Sequence, residues 1–239
     1  MSRLWTLTLY LVRELSGALA GMAPLAAAVA FGLIAFEYGM DQAQLITVGG
    51  LGIGTIGFLV TLLLAGKADR AASFPILGRQ HHRAELLGAI VAGGLGITWI
   101  LAIAIVVANL LAGRLTLSWP SLIWIVPTWT VLWLFVTALA LSLSALVSRS
   151  SSNLLGYLLV VAVLVANDRK TDLLDRGAGW AVRIVERVVW PAGTLLSRAS
   201  AEMHGRTYFV AVGATLACAV ALFLLAAFLF RDKDLLWSE

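Results

Sequence analysis

The chain alternates long uncharged stretches with short clusters of charge. Uncharged runs cover residues 15 to 36, 42 to 66, 86 to 113, 115 to 148, 150 to 167 and 207 to 230. Most exceed the roughly 20 residues that a helix needs to cross about 30 Å of hydrocarbon. They are solidly apolar, whereas barrel strands would alternate apolar and polar positions over about ten residues. Inside a bilayer, backbone hydrogen bonds then have to be satisfied within each segment, which leaves helices. The pattern predicts an all-α, polytopic helical membrane protein, a single transmembrane domain over residues 1 to 239.

Shorter periodicities add detail. Leu4, Leu7, Leu11 and Leu15 recur at spacings of three and four while Arg3, Thr6, Arg13 and Glu14 fall elsewhere. This predicts an interfacial helix over residues 1 to 15, with Thr8 intruding on its apolar side. The spans expected next run from about Gly17 to Phe36, Leu45 to Ala65, Leu86 to Leu111 and Ser121 to Leu146, with a last one from Tyr208 to Phe230. Gly49, Gly50, Gly52, Gly54 and Gly57 in the second would let neighbouring helices approach closely. In the fourth, Pro120 is placed to start the helix and Pro127 to interrupt it. The run at 150 to 167 is the weak member. It begins Ser-Ser-Ser-Asn and leaves about 14 apolar residues, only about 21 Å at 1.5 Å per residue.

Residues 168 to 206 follow, rich in both signs of charge. Within them Trp180, Ile184 and Val188 recur at spacing four, with Arg183, Glu186 and Arg187 on another face. An amphipathic segment lying in the membrane interface is expected, carrying Trp190 and ended by Pro191.

Composition mainly excludes. Of 239 residues, 61% are hydrophobic and 13% charged, and the mean hydropathy is +0.94, which a water-soluble globular chain does not reach. The net charge of +4 does not form a stripe with interleaved aromatics, so no nucleic-acid partner is expected. Lys and Arg flank the spans instead, as cytoplasmic loops do. The stretch KADRAASFPILGRQHHRAE, from Lys67 to Glu85, is the most basic short loop and should face the cytoplasm. The turn at Glu37 to Asp41 carries no Lys or Arg and should face outward. If residues 150 to 167 cross, Lys and Arg number nine inside against eight outside; if they do not, 14 against three. Charge counting alone prefers five spans.

The order of interfacial helix, two spans, basic loop, three spans with the last one short, outer amphipathic segment and final span resembles the membrane subunit of the type-2 permease family of ATP-binding-cassette (ABC) transporters. In the loop, Ser73, Phe74, Pro75, Ile76 and Leu77, followed by Arg79, Arg83, Glu85, Leu86 and Leu87, resemble the family's short cytoplasmic helix, Pro, basic residue and Glu-Leu-Leu start of the third span. At Arg70 to Ser73 the chain departs from the acidic stretch usual there. The resemblance implies six spans and a coupling loop over residues 67 to 85 in which Phe74, Pro75, Arg79 and Arg83 contact an ABC ATPase subunit. It also implies an outer helical hairpin over Trp180 to Leu196, and a second copy or a related permease chain as partner besides membrane lipids. The expected location is the bacterial plasma (inner) membrane, with both termini cytoplasmic.

Other chemistry is hard to find in the chain. Gly66-Lys67 is followed by Ala68 and lacks the phosphate-cradling loop of an ATPase, so ATP would have to be bound by another chain. Adjacent His81 and His82 diverge by about 100° on a helix, and His204 belongs to a different loop, so no metal or haem site and no cofactor is expected. Thr130, Thr137, Ser142 and Ser144 have no acid or base in their span, so no catalytic residue is expected. No acidic residue sits mid-span to couple a proton or ion. The expected function is therefore a permease subunit moving an amphipathic or lipid-like substrate with ATP hydrolysed by a separate subunit. The alternatives are a haem-exporter-like subunit of cytochrome c maturation and a non-transporting scaffold of a larger membrane complex.

Overall fold

A computed structural model describes residues 3–68, 83–115, 119–144, 146–147, 190–201 and 205–231, with the single positions 158, 180, 183 and 187. Among these residues every regular element is helical. In chain order they are α1 (Arg3–Ser16), α2 (Met22–Tyr38), α3 (Gln42–Ala68), α4 (Arg83–Leu111), α5 (Trp119–Leu143), α6 (Trp190–Ser200) and α7 (Arg206–Arg231). Five of them, α2, α3, α4, α5 and α7, are long and apolar enough to cross a membrane, α2 together with the short 3-10 turn before it. Residues 150–167, the expected fifth of six spans, lie outside the described residues apart from an exposed helical Leu158.

The other five expected spans correspond to helices found within a few residues of their expected ends. Pro120 stands at the second position of α5, where its missing N–H costs no hydrogen bond, and Pro127 lies inside that helix. α3 is the centre of the bundle. Its span window is 67% buried, against 17% for α2 and 22% for α7, because α2, α4 and α5 all pack on it. α7 in turn packs mainly on α5. The outward faces of the outer helices are large and apolar, for example Leu33, Ile103, Leu224 and Phe228, as lipid-facing surfaces require.

Lipid tails are as apolar as leucine, so burial alone does not hold spans together; close packing and hydrogen bonds do. The glycines of α3 supply that packing. A Cβ at Gly52 would stand 3.1 Å from the Phe31 ring of α2, and one at Gly57 would stand 2.7 Å from Trp133 Cδ1 of α5. α1 is held differently. Leu7, Leu11 and Leu15 are buried against the end of α3 and the start of α4, while Thr6, Arg13 and Glu14 are exposed. Thr8 is buried among the leucines, and its Oγ1 donates to the Leu4 carbonyl at 2.9 Å, which is how a hydroxyl is accommodated on the apolar side.

The two ends of the bundle differ. One gathers the α1 leucines with Leu64 and Ala68 of α3, Leu86 of α4, Val147 just beyond α5, and Phe230 of α7. The other gathers Met40, Leu45, Leu115, Ile125, Tyr208 and, from α6, Leu195. So α1 and α6 cap opposite ends.

Candidate functional site

At the α6 end the chain departs from regular helix geometry. Asp41 caps α3: its Oδ1 accepts from Gln44 N at 2.7 Å, and Asp41 N donates to Gln44 Oε1 at 3.2 Å. Immediately after this box, Leu45–Gly49 winds as a π-helix, a form that is rare and frequent at functional sites. Trp129 of α5 lies against it. Its Nε1 donates a long hydrogen bond, 3.4 Å, to the Ile46 carbonyl, and a Cβ at Gly49 would stand only 2.6 Å from the indole.

Beside the π-helix an apolar recess runs between α2, α3 and α4, walled by Phe31 and Ala35, by Gly49, Gly52 and Ile56, and by Asn109. Its free space is narrow, about 30 Å³. A clasp between two turns closes its end. Met40 N donates to the Arg114 carbonyl at 2.9 Å and Met40 pairs with Leu115, while the Arg114 guanidinium stands 5.2 Å from the Phe36 ring centre. Gly39 and Gly113, at φ 65° and 67°, make these two turns, a backbone region that glycine enters without cost.

Asn109 is the polar feature of this recess. It is buried, and its Nδ2 donates to the Ile105 carbonyl at 2.9 Å. That acceptor fixes which end of the amide is nitrogen. Oδ1 then has no hydrogen-bond partner among the described residues. Mid-bundle, Thr98 Oγ1 and Trp133 Nε1 are in the same position, packed around Gly57 without a comparable recess.

A second, wider hollow of about 300 Å³ lies between α6 and α7, with Trp190 and Pro191 on one wall and Arg198 and Arg206 at its edges. Pro191 is the second residue of α6, buried, in the first turn where proline is best tolerated; whether the preceding amphipathic segment ends there falls on residues outside those described. Trp180 and Trp190 are helical and exposed, as are Arg183 and Arg187. Ile184 and Val188 lie outside the described residues.

The expected ATPase-contact residues are not brought together into a described surface. Phe74, Pro75 and Arg79 lie outside the described residues, and Arg83 is described only as the first residue of α4. Among the described residues no group of three His, Cys, Asp or Glu side chains could hold a metal ion.

Comparison with protein-family models, curated proteins and solved structures gives no match for this chain. In the sequence Asn109 is a polar residue inside an otherwise apolar run. Nothing in the sequence announces the clasp, since it joins segments far apart in the chain.

Proposed function

We propose that the chain is the membrane-embedded permease subunit of an ATP-driven transporter, working as two copies or with a related chain. A separate ATPase would dock at the α1 end, under the loop joining α3 to α4. The observation that carries this reading is the placement of α1 and α6 at opposite ends of the bundle. Val147 packs among the α1 leucines, whereas Ala192 and Leu195 pack at the far end. This supports a further passage between them, for which residues 150 to 167 are the apolar run available. Added to the five spans, such a passage would give the six-span order on which the resemblance rests.

The basic loop ends favour the α1 end as cytoplasmic, with both termini there, and α6 on the outer side, in a bacterial inner membrane. Spans without Asp, Glu, Lys, Arg or His between their ends suit an amphipathic or lipid-like substrate and an energy source outside the membrane. The test is affinity purification of the tagged chain from native membranes. Recovery of an ABC ATPase in stoichiometric amount supports the reading; recovery of other membrane subunits without one favours the scaffold.

A further inference from the structure

We infer that the open hollow between α6 and α7 holds one membrane phospholipid with an anionic head, its phosphate at Arg198 and Arg206 and one acyl chain lying along Val210 and Ala214. The inference goes beyond the transporter reading, because it needs only a membrane-embedded chain, whatever its partner or cargo.

The argument begins with how the two helices meet. Thr215 Oγ1 of α7 is buried and donates to the Pro191 carbonyl at 3.1 Å, so the start of α6 lies against the third turn of α7. At the other end Ser200 closes α6 and Arg206 opens α7, so the pair is an antiparallel hairpin. Trp190, Thr194 and Arg198 line the hollow from α6 at a spacing of four, and Arg206, Val210 and Ala214 do the same from α7. Both arginines therefore stand at the connected end of the hairpin, and the opposite end is apolar. The candidate span of α7 begins at Arg206, which places the arginines at the membrane surface. Ala214 lies eight residues farther in, about 12 Å at 1.5 Å per residue.

Polarity thus changes along the hollow as it does along a lipid. At the mouth two guanidiniums stand near the Thr207 hydroxyl, and no Asp or Glu is among the described lining residues. Such a mouth favours a phosphate over a neutral or cationic head, and arginine can meet phosphate oxygens with two parallel hydrogen bonds. Deeper in, Trp190 and Val210 are 58% and 63% exposed, an apolar wall that an alkyl chain would cover. The hollow measures about 300 Å³, the lower end of the roughly 300–1,000 Å³ of small-molecule sites, and it is open on one side. The phosphate, its glycerol and the upper part of one chain can enter, while the second chain stays in the bilayer. A free phosphate would occupy the mouth alone and leave the apolar wall bare.

The experiment uses the full chain in phosphatidylcholine nanodiscs with a trace of one of two photoprobes, phosphatidylglycerol or phosphatidylcholine, each with a diazirine near the top of one acyl chain. The phosphatidylglycerol probe should label peptides of α6 and the first turns of α7 about tenfold more than the phosphatidylcholine probe, as two arginines near a membrane surface provide. Arg198→Gln with Arg206→Gln should bring the two yields together, and the corresponding pair of lysines should keep most of the difference. Both arginines are exposed, so elution volume and helicity should not change. Inorganic phosphate, added at constant ionic strength, should leave the labelling as it was. Equal labelling by the two probes in the wild-type chain overturns the inference, whether or not the glutamine pair folds. A preference that survives in a folded glutamine pair overturns it too, as does labelling confined to peptides outside α6 and α7. Displacement by inorganic phosphate would make the hollow a site for the free anion and overturn the lipid assignment. None of these outcomes alters recovery of the ATPase, so the transporter reading stands or falls separately.

Discussion

Thr128 Oγ1 of α5 and Tyr208 Oη of α7 lie 2.9 Å apart, both buried, and the same threonine hydroxyl is 2.6 Å from the Trp124 carbonyl. Trp124 meets the Tyr208 ring edge-on at 5.6 Å. One phenol thus ties two spans at the α6 end through a hydrogen bond and an aromatic contact. Tyr208→Phe keeps the ring and removes the bond. It should destabilise the folded protein by about 0.6–1.7 kcal/mol, the range for hydrogen bonds between membrane helices. Reversible unfolding in mixed micelles would measure it, and an unchanged midpoint would show that the contact between rings suffices.

Gly57 and Gly96 give opposite expectations for the same change. At either site alanine gains up to about 1 kcal/mol of helix propensity. At Gly57 the new methyl meets the rigid Trp133 indole at 2.7 Å, and overpacking of that kind costs typically 1–3 kcal/mol. At Gly96 it meets nothing within 4 Å. Gly57→Ala should therefore lower the thermal midpoint, and Gly96→Ala should hold or raise it. The same midpoint for both would mean that α3 and α5 separate easily at this level.

Sidedness is testable with cysteines. In a Cys218→Ala background, Ala201→Cys, just past α6, and Asp172→Cys should react with a membrane-impermeant thiol reagent on intact cells. A cysteine at exposed Glu14 of α1 should react only after the membrane is opened. Protection of Asp172→Cys and Ala201→Cys in intact cells would put α6 in the cytoplasm and remove the six-span reading.

For the proposed ATPase contact, Arg83→Glu should reduce co-purification of the ATPase more than Arg83→Lys, since only arginine grips a carboxylate with two parallel hydrogen bonds. Arg79→Glu with Arg83→Glu should abolish it. Undiminished recovery from the double variant, with cysteine labelling unchanged, would remove these arginines from the interface.

Hydrophobic patterning made most of the architecture legible. A span declares itself by length without charge, and Leu7, Leu11 and Leu15 by their spacing, because both signals are local. The glycine row of α3 was legible for the same reason, though not which ring each glycine receives. Pro191 marks a boundary in the sequence because proline both stops helices and opens them, and the helix it opens, α6, was not separable from the segment before it by pattern alone. The π-helix at Leu45–Gly49 left no mark, since side chains that tolerate one hydrogen-bond spacing tolerate the other. Asn109 was visible as a polar residue, but its unpartnered oxygen is a property of the fold around it. Thr128 and Tyr208 meet across 80 positions of chain, beyond any local pattern.

The clasp between Met40 and Arg114 joins the turn after α2 to the turn after α4, each made by a glycine, at φ 65° and 67°. An extra residue in one turn would pull its backbone out of register with the other, so a length change on one side has to be matched across the clasp. Among relatives of this chain, the segments around Gly39 and Gly113 should therefore lengthen and shorten together, a paired pattern of insertions and deletions that would betray the contact even where no side chain is shared.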